Sequence, residues 1–233
     1  MKVSKQPVYL LSDSEILFHR EEQGLILDKP LSALGKNRRG ISSAYIGASN
    51  GDEGSFYEIF LYAMELLGIT NCRMIRSDFT VADREFLEQA DVVFLSGGDV
   101  KKGWHIMQTT AMDQFITRRY MQGALLAGVS AGAIQLGLYG RDKTANDAQA
   151  MFETLKIVPF IIDVHDEEHH WQNLRTQIQQ STAILSGYGI PRRGGMIYHP
   201  DQSIEALRKP LIEIYREGQG FSENLILPAS ASI

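Results

Sequence analysis

The sequence contains a single cysteine among its 233 residues, Cys72, and this excludes an intrachain disulfide. We expect Cys72 to be a small buried apolar residue, because the surrounding NCRMIR has the composition of a strand. Positive charge is not in excess either: the net charge is −5, and no basic patch carries interleaved aromatic residues. These features argue against nucleic acid as a partner.

Long apolar runs are missing from the chain as well. The N-terminal MKVSKQPVYLL has a charged start, but it has no long apolar stretch and no cleavage site of small residues. It therefore predicts neither a signal peptide nor a membrane span, and we expect a cytoplasmic protein that does not bind membranes. Internal repeats and Pro/Gly/Ser-rich linkers are absent too, so we expect residues 1–233 to form one domain.

What the chain does contain is an apolar fraction of 44%, distributed in short runs between longer amphipathic segments. The runs are Val8–Leu11, Ala44–Ile46, Arg73–Ile75, Val92–Leu95 and Leu125–Val129. None alternates apolar with polar residues, which is typical of parallel strands buried on both faces. Helices are predicted over Phe56–Leu67, Thr80–Glu88, Ala111–Met121 and Trp171–Gln180. This rhythm indicates a doubly wound α/β fold.

The last part of the chain has a different pattern. GGMIYHPDQSIEAL predicts a hairpin with its turn at Pro200-Asp201, and LIEIYREGQ predicts a further strand. An exposed strand edge in this region would suit pairing with a second copy, so a homodimer is one expectation. Nearer the N-terminus, the polar segment Ser32–Ser42 predicts a loop.

The segment Gly128-Val129-Ser130-Ala131-Gly132 matches the pattern G-x-S-x-G, with an apolar run before it and a helix-forming run after it. Such a turn would hold the Ser130 hydroxyl beyond the carboxyl ends of the strands, where open α/β sheets bind ligands. The N–H of Ala131 would then face a developing oxyanion. The alternative interpretation is a small-residue turn in which Ser130 only caps the helix.

A serine nucleophile needs a base and a group that orients the base. His165 ends the apolar run IVPFIIDV, so it would emerge at a strand end as Ser130 does. Asp142 and Asp147 follow the elbow helix, and either would be able to reach back to His165. His165 and His169 also have a spacing found in metal sites, but without a firm helix this signal is weak. We expect no metal and no cofactor.

A second glycine pair, Gly97-Gly98, follows the strand Val92–Leu95 and the serine after it. A strand that ends in two glycines allows backbone N–H groups to approach a substrate closely. One of these N–H groups is a candidate for the second oxyanion donor.

Five segments, in this order, resemble the peptidase S51 family, which contains aspartyl dipeptidase (peptidase E) and cyanophycinase. YIGASNGDEGSFYEIF looks like the family's second strand, substrate loop and helix, FLSGGDV like its oxyanion loop, AGVSAGA like its nucleophile elbow, LKIVPFIIDVH like its histidine segment, and GYGIPRRGGMIYH like its late G-[IL]-P-E-G stretch. The resemblance implies a three-layer α/β/α sandwich with a mostly parallel sheet, flavodoxin-like and of the class I glutamine amidotransferase type. It also implies a serine peptidase or amidohydrolase that cleaves a small peptide or amide.

The resemblance further implies roles for individual residues. Ser130 is the nucleophile and His165 the base. The family's acid lies in a T-T-N-D stretch that is similar to residues 144–147, so Asp147 is the predicted acid, with Asp142 in reserve. Gly98 and Ala131 supply the oxyanion N–H groups, and Gly97 is the alternative to Gly98.

Two departures from the family pattern concern the substrate. Asp99 stands where the family has Asn or Gln, and Arg192 stands where it has Glu. We predict that Asp99, Asn50 and Arg192 contact the substrate, and that the strict preference for an N-terminal aspartate does not carry over. The departures also leave open a binding protein that keeps the fold without catalysis. A glutamine amidotransferase is disfavoured, because those enzymes have cysteine at the elbow.

Overall fold

A computed structural model describes residues 5–21, 24–142, 150–181 and 186–229. Its strands are β1 Val8–Leu11, β2 Arg20–Glu21, β3 Gly24–Leu25, β4 Ser42–Ile46, β5 Asn71–Ile75, β6 Val92–Leu95, β7 Leu125–Val129, β8 Tyr139–Arg141, β9 Met151–Glu153, β10 Ile161–Val164, β11 Ser186–Ile190, β12 Gly195–Tyr198, β13 Ile204–Leu207, β14 Leu211–Glu217 and β15 Gly220–Ile226. Its α-helices are α1 Asp28–Ala33, α2 Gly54–Leu66, α3 Val81–Leu87, α4 Val100–Thr109, α5 Met112–Met121, α6 Ala131–Gln135 and α7 Gln172–Gln180.

The main sheet has seven strands in the order β13-β12-β1-β7-β6-β4-β5. The five strands β1-β7-β6-β4-β5 are parallel to their neighbours. Strands β12 and β13 form the predicted hairpin, and β12 pairs antiparallel with both β13 and β1. Leu11 of β1 is level with Val129 of β7, and Leu95 of β6 is level with Gly128. The carboxyl ends of these three strands therefore meet at one edge, which positions the residues that follow them.

Helices cover both faces of this sheet, which confirms the predicted three-layer α/β architecture. Along β6, Val93 and Leu95 pack into the apolar cluster that contains residues of α3, α4, α5 and α6. Val92 and Phe94 pack into the opposite cluster, which contains residues of α1 and α2. We call these two sides the α5 face and the α2 face. Burial on both faces explains why the strand sequences lack polar alternation.

A second sheet, with the order β10-β11-β14-β15, was not foreseen from the sequence. Strands β10 and β11 are parallel, and β14 and β15 continue the sheet antiparallel. Val164 of β10 and Ile190 of β11 belong to the same apolar cluster as Val93 and Leu95, so the second sheet packs on the α5 face. The predicted strand LIEIYREGQ is therefore real, but it belongs to this second sheet.

The edges and loops differ in detail from the sequence predictions. The segment Ser32–Ser42, expected to be a loop, contains the end of α1, a 3-10 turn at Arg38–Gly40 and the first residue of β4. The hairpin strand β13 is at the sheet edge, and Ala206 within it forms a bridge with Pro228 of the same chain. The homodimer stays a prediction.

Candidate active site

Ser130 lies in a sharp turn between β7 and α6, with the strained backbone angles φ 50° and ψ −109°. Only small residues allow this turn. A Cβ atom on Gly128 would lie 2.5 Å from the carbonyl carbon of Gly132, and a Cβ on Gly132 would lie 2.3 Å from the carbonyl oxygen of Leu95. The G-x-S-x-G pattern is thus a packing requirement of the elbow, and the elbow holds the Ser130 side chain at the end of the strand.

The Ser130 hydroxyl oxygen Oγ lies 3.0 Å from Nε2 of His165. Ser130 occupies the N-cap position of α6, but its side chain makes no capping hydrogen bond to the helix. This geometry does not support the alternative in which Ser130 only caps the helix. A hydroxyl within hydrogen-bond distance of an imidazole nitrogen is the arrangement expected of a nucleophile and its base.

His165 directly follows β10 in the second sheet and has the left-handed φ of 45°. Its backbone N–H donates to the carbonyl oxygen of Ile190 at 2.9 Å, so β11 holds the backbone that carries the imidazole. As the sequence predicts, Ser130 and His165 both emerge where a buried strand ends. The strands belong to different sheets, which the apolar runs alone did not indicate.

The predicted oxyanion donors, Gly98 and Ala131, come from two different segments of the chain. Ala131 is the first residue of α6, and Gly98 follows β6 with a φ of 132°. In the described part of the chain, no backbone carbonyl accepts a hydrogen bond from the N–H of Gly98 or Ala131. A Cβ on Gly98 would lie 2.2 Å from the carbonyl oxygen of Ser49, so this position requires glycine. Both N–H groups are therefore suited to a developing negative charge.

The acid of the predicted triad is the least defined part of the site. Asp147 lies outside the described residues. Asp142 directly follows β8, is buried, and forms an ion pair with Lys101 of α4. The identity of the acid stays a prediction.

A cavity of about 320 Å³ opens beside Ser130 at the carboxyl ends of β1, β6 and β7. It is lined by Ser12, Asp13, Ser14, Leu17, Tyr45, Phe56, Ile59, Phe60, Phe94, Ser96, Gly97, Gly98, Val129, Ser130, His165 and Arg192. Of the three residues predicted to contact substrate, Arg192 lines this cavity and is exposed. Asp99 instead caps α4 by accepting the N–H of Lys102 at 2.7 Å. The amide of Asn50 donates to the Tyr45 hydroxyl at 2.8 Å, and Asn50 does not line the cavity.

Several cavity residues were missed by the sequence analysis. Ser12 and Asp13 directly follow β1, the neighbour of β7, so polar residues after a buried strand were an available signal. The side chain of Asp13 accepts the N–H of Glu15 at 3.1 Å and the N–H of Arg193 at 2.6 Å. Asp13 thus ties the end of β1 to the loop that carries Arg192.

The two histidines considered for a metal site, His165 and His169, contact different residues. His165 faces Ser130, whereas Nδ1 of His169 lies 3.0 Å from Oδ1 of Asp166. Among the described residues, no group of three or more His, Cys, Asp or Glu side chains is placed to hold a metal ion. None of the helices that the structure describes has the length and apolar character needed to cross a bilayer.

Comparison with solved structures supports the fold. The chain is similar to a peptidase from an acI-B1 Actinobacterium, with a TM-score of 0.70 and 15% identity, over 100% of this chain and 98% of the other. It is also similar to a putative peptidase E protein from Listeria monocytogenes EGD-e, with a TM-score of 0.64 and 19% identity, over 88% of this chain and 98% of the other. A comparison with curated protein sequences gives no match.

A family comparison completes the assignment that the elbow and the fold suggest. Peptidase family S51 matches residues 8–205, a range that includes the elbow, the glycine pair and the histidine segment. The family resemblance seen in the sequence is thereby confirmed. The chain belongs to peptidase family S51 and is a serine-type peptidase.

Proposed function

We propose that this peptidase cleaves a small peptide or amide through an acyl-enzyme formed on Ser130. The observation that carries the proposal is the 3.0 Å distance between Oγ of Ser130 and Nε2 of His165 at a strained elbow. The cavity supports a small substrate, because its volume of about 320 Å³ lies at the lower end of the roughly 300–1,000 Å³ common for ligand pockets.

The proposed reaction uses these groups in turn. His165 takes the proton of Ser130 as the oxygen attacks the scissile carbonyl carbon, and the N–H groups of Gly98 and Ala131 stabilise the oxyanion. His165 then gives the proton to the leaving amine, and water releases the acid from the acyl-enzyme. Asp147 is the proposed acid that orients His165. Contacts from Asp99, Asn50 and Arg192 to the substrate remain part of the proposal.

The test is reaction of the purified protein with a fluorophosphonate probe, together with hydrolysis of a dipeptide library. We expect labelling of wild type, no labelling of Ser130→Ala, and a loss of kcat of about 10³-fold or more in His165→Gln. Mass spectrometry of the labelled peptide identifies the modified serine. A well-folded wild type that neither labels nor hydrolyses any dipeptide would refute the proposal and favour a binding protein that keeps the fold.

A further inference from the structure

We infer that the cavity beside Ser130 selects an apolar side chain on the acyl residue of the substrate, the residue whose carbonyl Ser130 attacks. This inference rests on the proposed function. It concerns a property that the family resemblance does not supply, because it comes from the side chains that line this particular cavity.

One wall of the cavity is formed by the hydrophobic core on the α2 face. Leu17, Tyr45, Phe60, Phe94 and Val129 line the cavity, and all five belong to the apolar cluster packed against α1 and α2. These side chains are at most 7% exposed. A substrate side chain that enters here replaces water against hydrocarbon and aromatic surface, which stabilises binding by about 25 cal/mol per Å² of apolar area buried.

One aromatic and one aliphatic side chain of α2 extend this wall toward solvent. Phe56 and Ile59 lie one helical turn apart, line the cavity, and are 46% and 39% exposed. Exposed apolar side chains next to a cavity are typical of a binding surface. An apolar substrate side chain would cover part of both.

The five wall residues carry no charged side chain. Burial raises the pKa of the Tyr45 hydroxyl above its ordinary value, so Tyr45 is neutral at physiological pH. Outside this wall the cavity is also lined by Asp13, whose carboxylate already accepts two backbone N–H groups, and by Arg192, which is exposed. A charged substrate side chain placed against the wall would lose its hydration without compensation.

The position of His165 indicates that the wall serves the acyl residue. Val164, which precedes His165, packs into the cluster on the α5 face, whereas Tyr45 and Phe94 pack on the α2 face. His165 is therefore carried by the sheet packed on the α5 face, whereas the apolar wall belongs to the α2 face. Because His165 gives its proton to the leaving amine, the leaving group lies toward His165 and the acyl residue lies toward the wall.

The experiment compares aminoacyl 4-nitroanilides that share one leaving group and differ only in the acyl residue. We expect kcat/KM for leucine and phenylalanine to exceed that for glycine, aspartate and lysine by at least tenfold, within the range that hydrophobic pockets provide. A preference for aspartate or lysine, or equal rates for all residues, would overturn the inference.

Matched variants on α2 localise the effect. Ile59→Ala and Phe56→Ala should each lower kcat/KM for the leucine anilide by about tenfold more than for the glycine anilide. Leu66→Ala is the control: Leu66 is on the same helix and 42% exposed, but it does not line the cavity. An equal effect of all three substitutions would contradict a role of the cavity wall.

Failure of this inference is distinguishable from failure of the proposed function. Fluorophosphonate labelling of Ser130 reports the activated serine whatever the acyl preference. Competition against the probe by the boronic acid analogues of leucine and glycine measures acyl recognition without turnover, and we expect the leucine analogue to compete at least tenfold better. Labelling of Ser130 with equal competition would refute the apolar pocket and leave the serine peptidase standing.

Discussion

Ser130 and His165 face each other from two strained backbone positions, with φ angles of 50° and 45° and a distance of 3.0 Å between Oγ and Nε2. The backbone N–H of Ser130 donates to the carbonyl oxygen of Leu11 at 2.9 Å. The backbone N–H of His165 donates to the carbonyl oxygen of Ile190, also at 2.9 Å. Such conformations cost about 1–3 kcal/mol each and persist only where neighbouring structure fixes them. The neighbouring strands β1 and β11 thus keep the pair in register.

Substitution of Gly98 by alanine tests the oxyanion loop. The new Cβ would lie 2.2 Å from the carbonyl oxygen of Ser49, so the loop must move and the N–H of Gly98 must turn away. We expect kcat to fall by about 10²–10³-fold, the cost of losing one oxyanion donor. Gly35→Ala is the control, because Gly35 has a positive φ of 66° but nothing within 4 Å. A folded Gly98→Ala enzyme with wild-type kcat would contradict this role.

Gln135 is predicted to be a positioning residue for the same loop. It is 1% exposed and donates from Nε2 to the carbonyl oxygen of Val100 at 2.9 Å and to Oγ of Ser49 at 3.0 Å. The carbonyl of Ser49 in turn accepts the N–H of Asp99 at 2.8 Å, so Gln135 links α6 to the residues after Gly98. Gln135→Leu should lower kcat with KM nearly unchanged and destabilise the fold by about 1–3 kcal/mol.

The control for Gln135→Leu is Thr110→Val at the end of α4. This substitution removes a 2.7 Å hydrogen bond from Oγ1 of Thr110 to the carbonyl oxygen of Ile106. It should lower stability by about 1 kcal/mol without changing kcat. Urea unfolding and steady-state kinetics on both variants separate the two effects, and equal kcat losses would assign Gln135 a purely structural role.

The identity of the triad acid is tested by two asparagine substitutions. Asp147 is the proposed acid, so Asp147→Asn should lower kcat by about 10⁴-fold, the effect expected when a triad loses the carboxylate that fixes the tautomer of its histidine. Asp142→Asn removes the partner of Lys101 and should lower the free energy of unfolding by about 1 kcal/mol, with little effect on kcat. The reverse result would transfer the role to Asp142.

Asp83 gives a pH-dependent contribution to stability. Burial alone would raise the pKa of Asp83, but hydrogen bonds from Thr80 and from Nε of Arg73 outweigh it and hold the pKa below its ordinary value. The unfolded carboxyl titrates near about 3.9. Because the pKa of Asp83 is lower in the folded protein, the stabilisation of the fold by ionised Asp83 is complete above the unfolded pKa. It is lost as the pH falls through the folded pKa.

We therefore expect Asp83→Asn to lower the free energy of unfolding by about 1 kcal/mol at pH 7, as for other helix caps. The difference from wild type should shrink as the pH falls below about 4. Urea unfolding of wild type and variant, at pH 7 and below about pH 4, measures this difference in the free energy of unfolding. Asp78→Asn is the control, since Asp78 is exposed nearby. A difference that stays constant with pH would show that ionised Asp83 is not the source.

The sequence was most informative where one short segment determines the structure. The runs Val8–Leu11, Val92–Leu95 and Leu125–Val129 are strands with the predicted bounds, because burial on both faces removes polar residues from them. The proximity of Ser130 and His165 was predictable for a similar reason: each follows such a run, and strand ends are where open α/β sheets expose functional groups.

Features that depend on distant segments were not predictable in the same way. The strand Leu211–Glu217 was expected, but its pattern of residues does not specify whether it joins the main sheet or pairs with β11. The cavity wall combines Leu17, Phe60 and Phe94 from three elements. The sequence around each of them predicts only a residue of the hydrophobic core. Asp99 has the residue type of a helix N-cap, and the structure uses it as one.

The division of the Ser130–His165 pair between two sheets has a consequence for refolding. Ser130 is carried by the main sheet and His165 by the second sheet, so the two side chains do not meet until both sheets have formed and packed together on the α5 face. The return of probe reactivity after dilution from denaturant would therefore time the docking of the sheets. Comparison with far-UV circular dichroism, which reports the formation of secondary structure in the whole chain, would show whether docking of the sheets follows it.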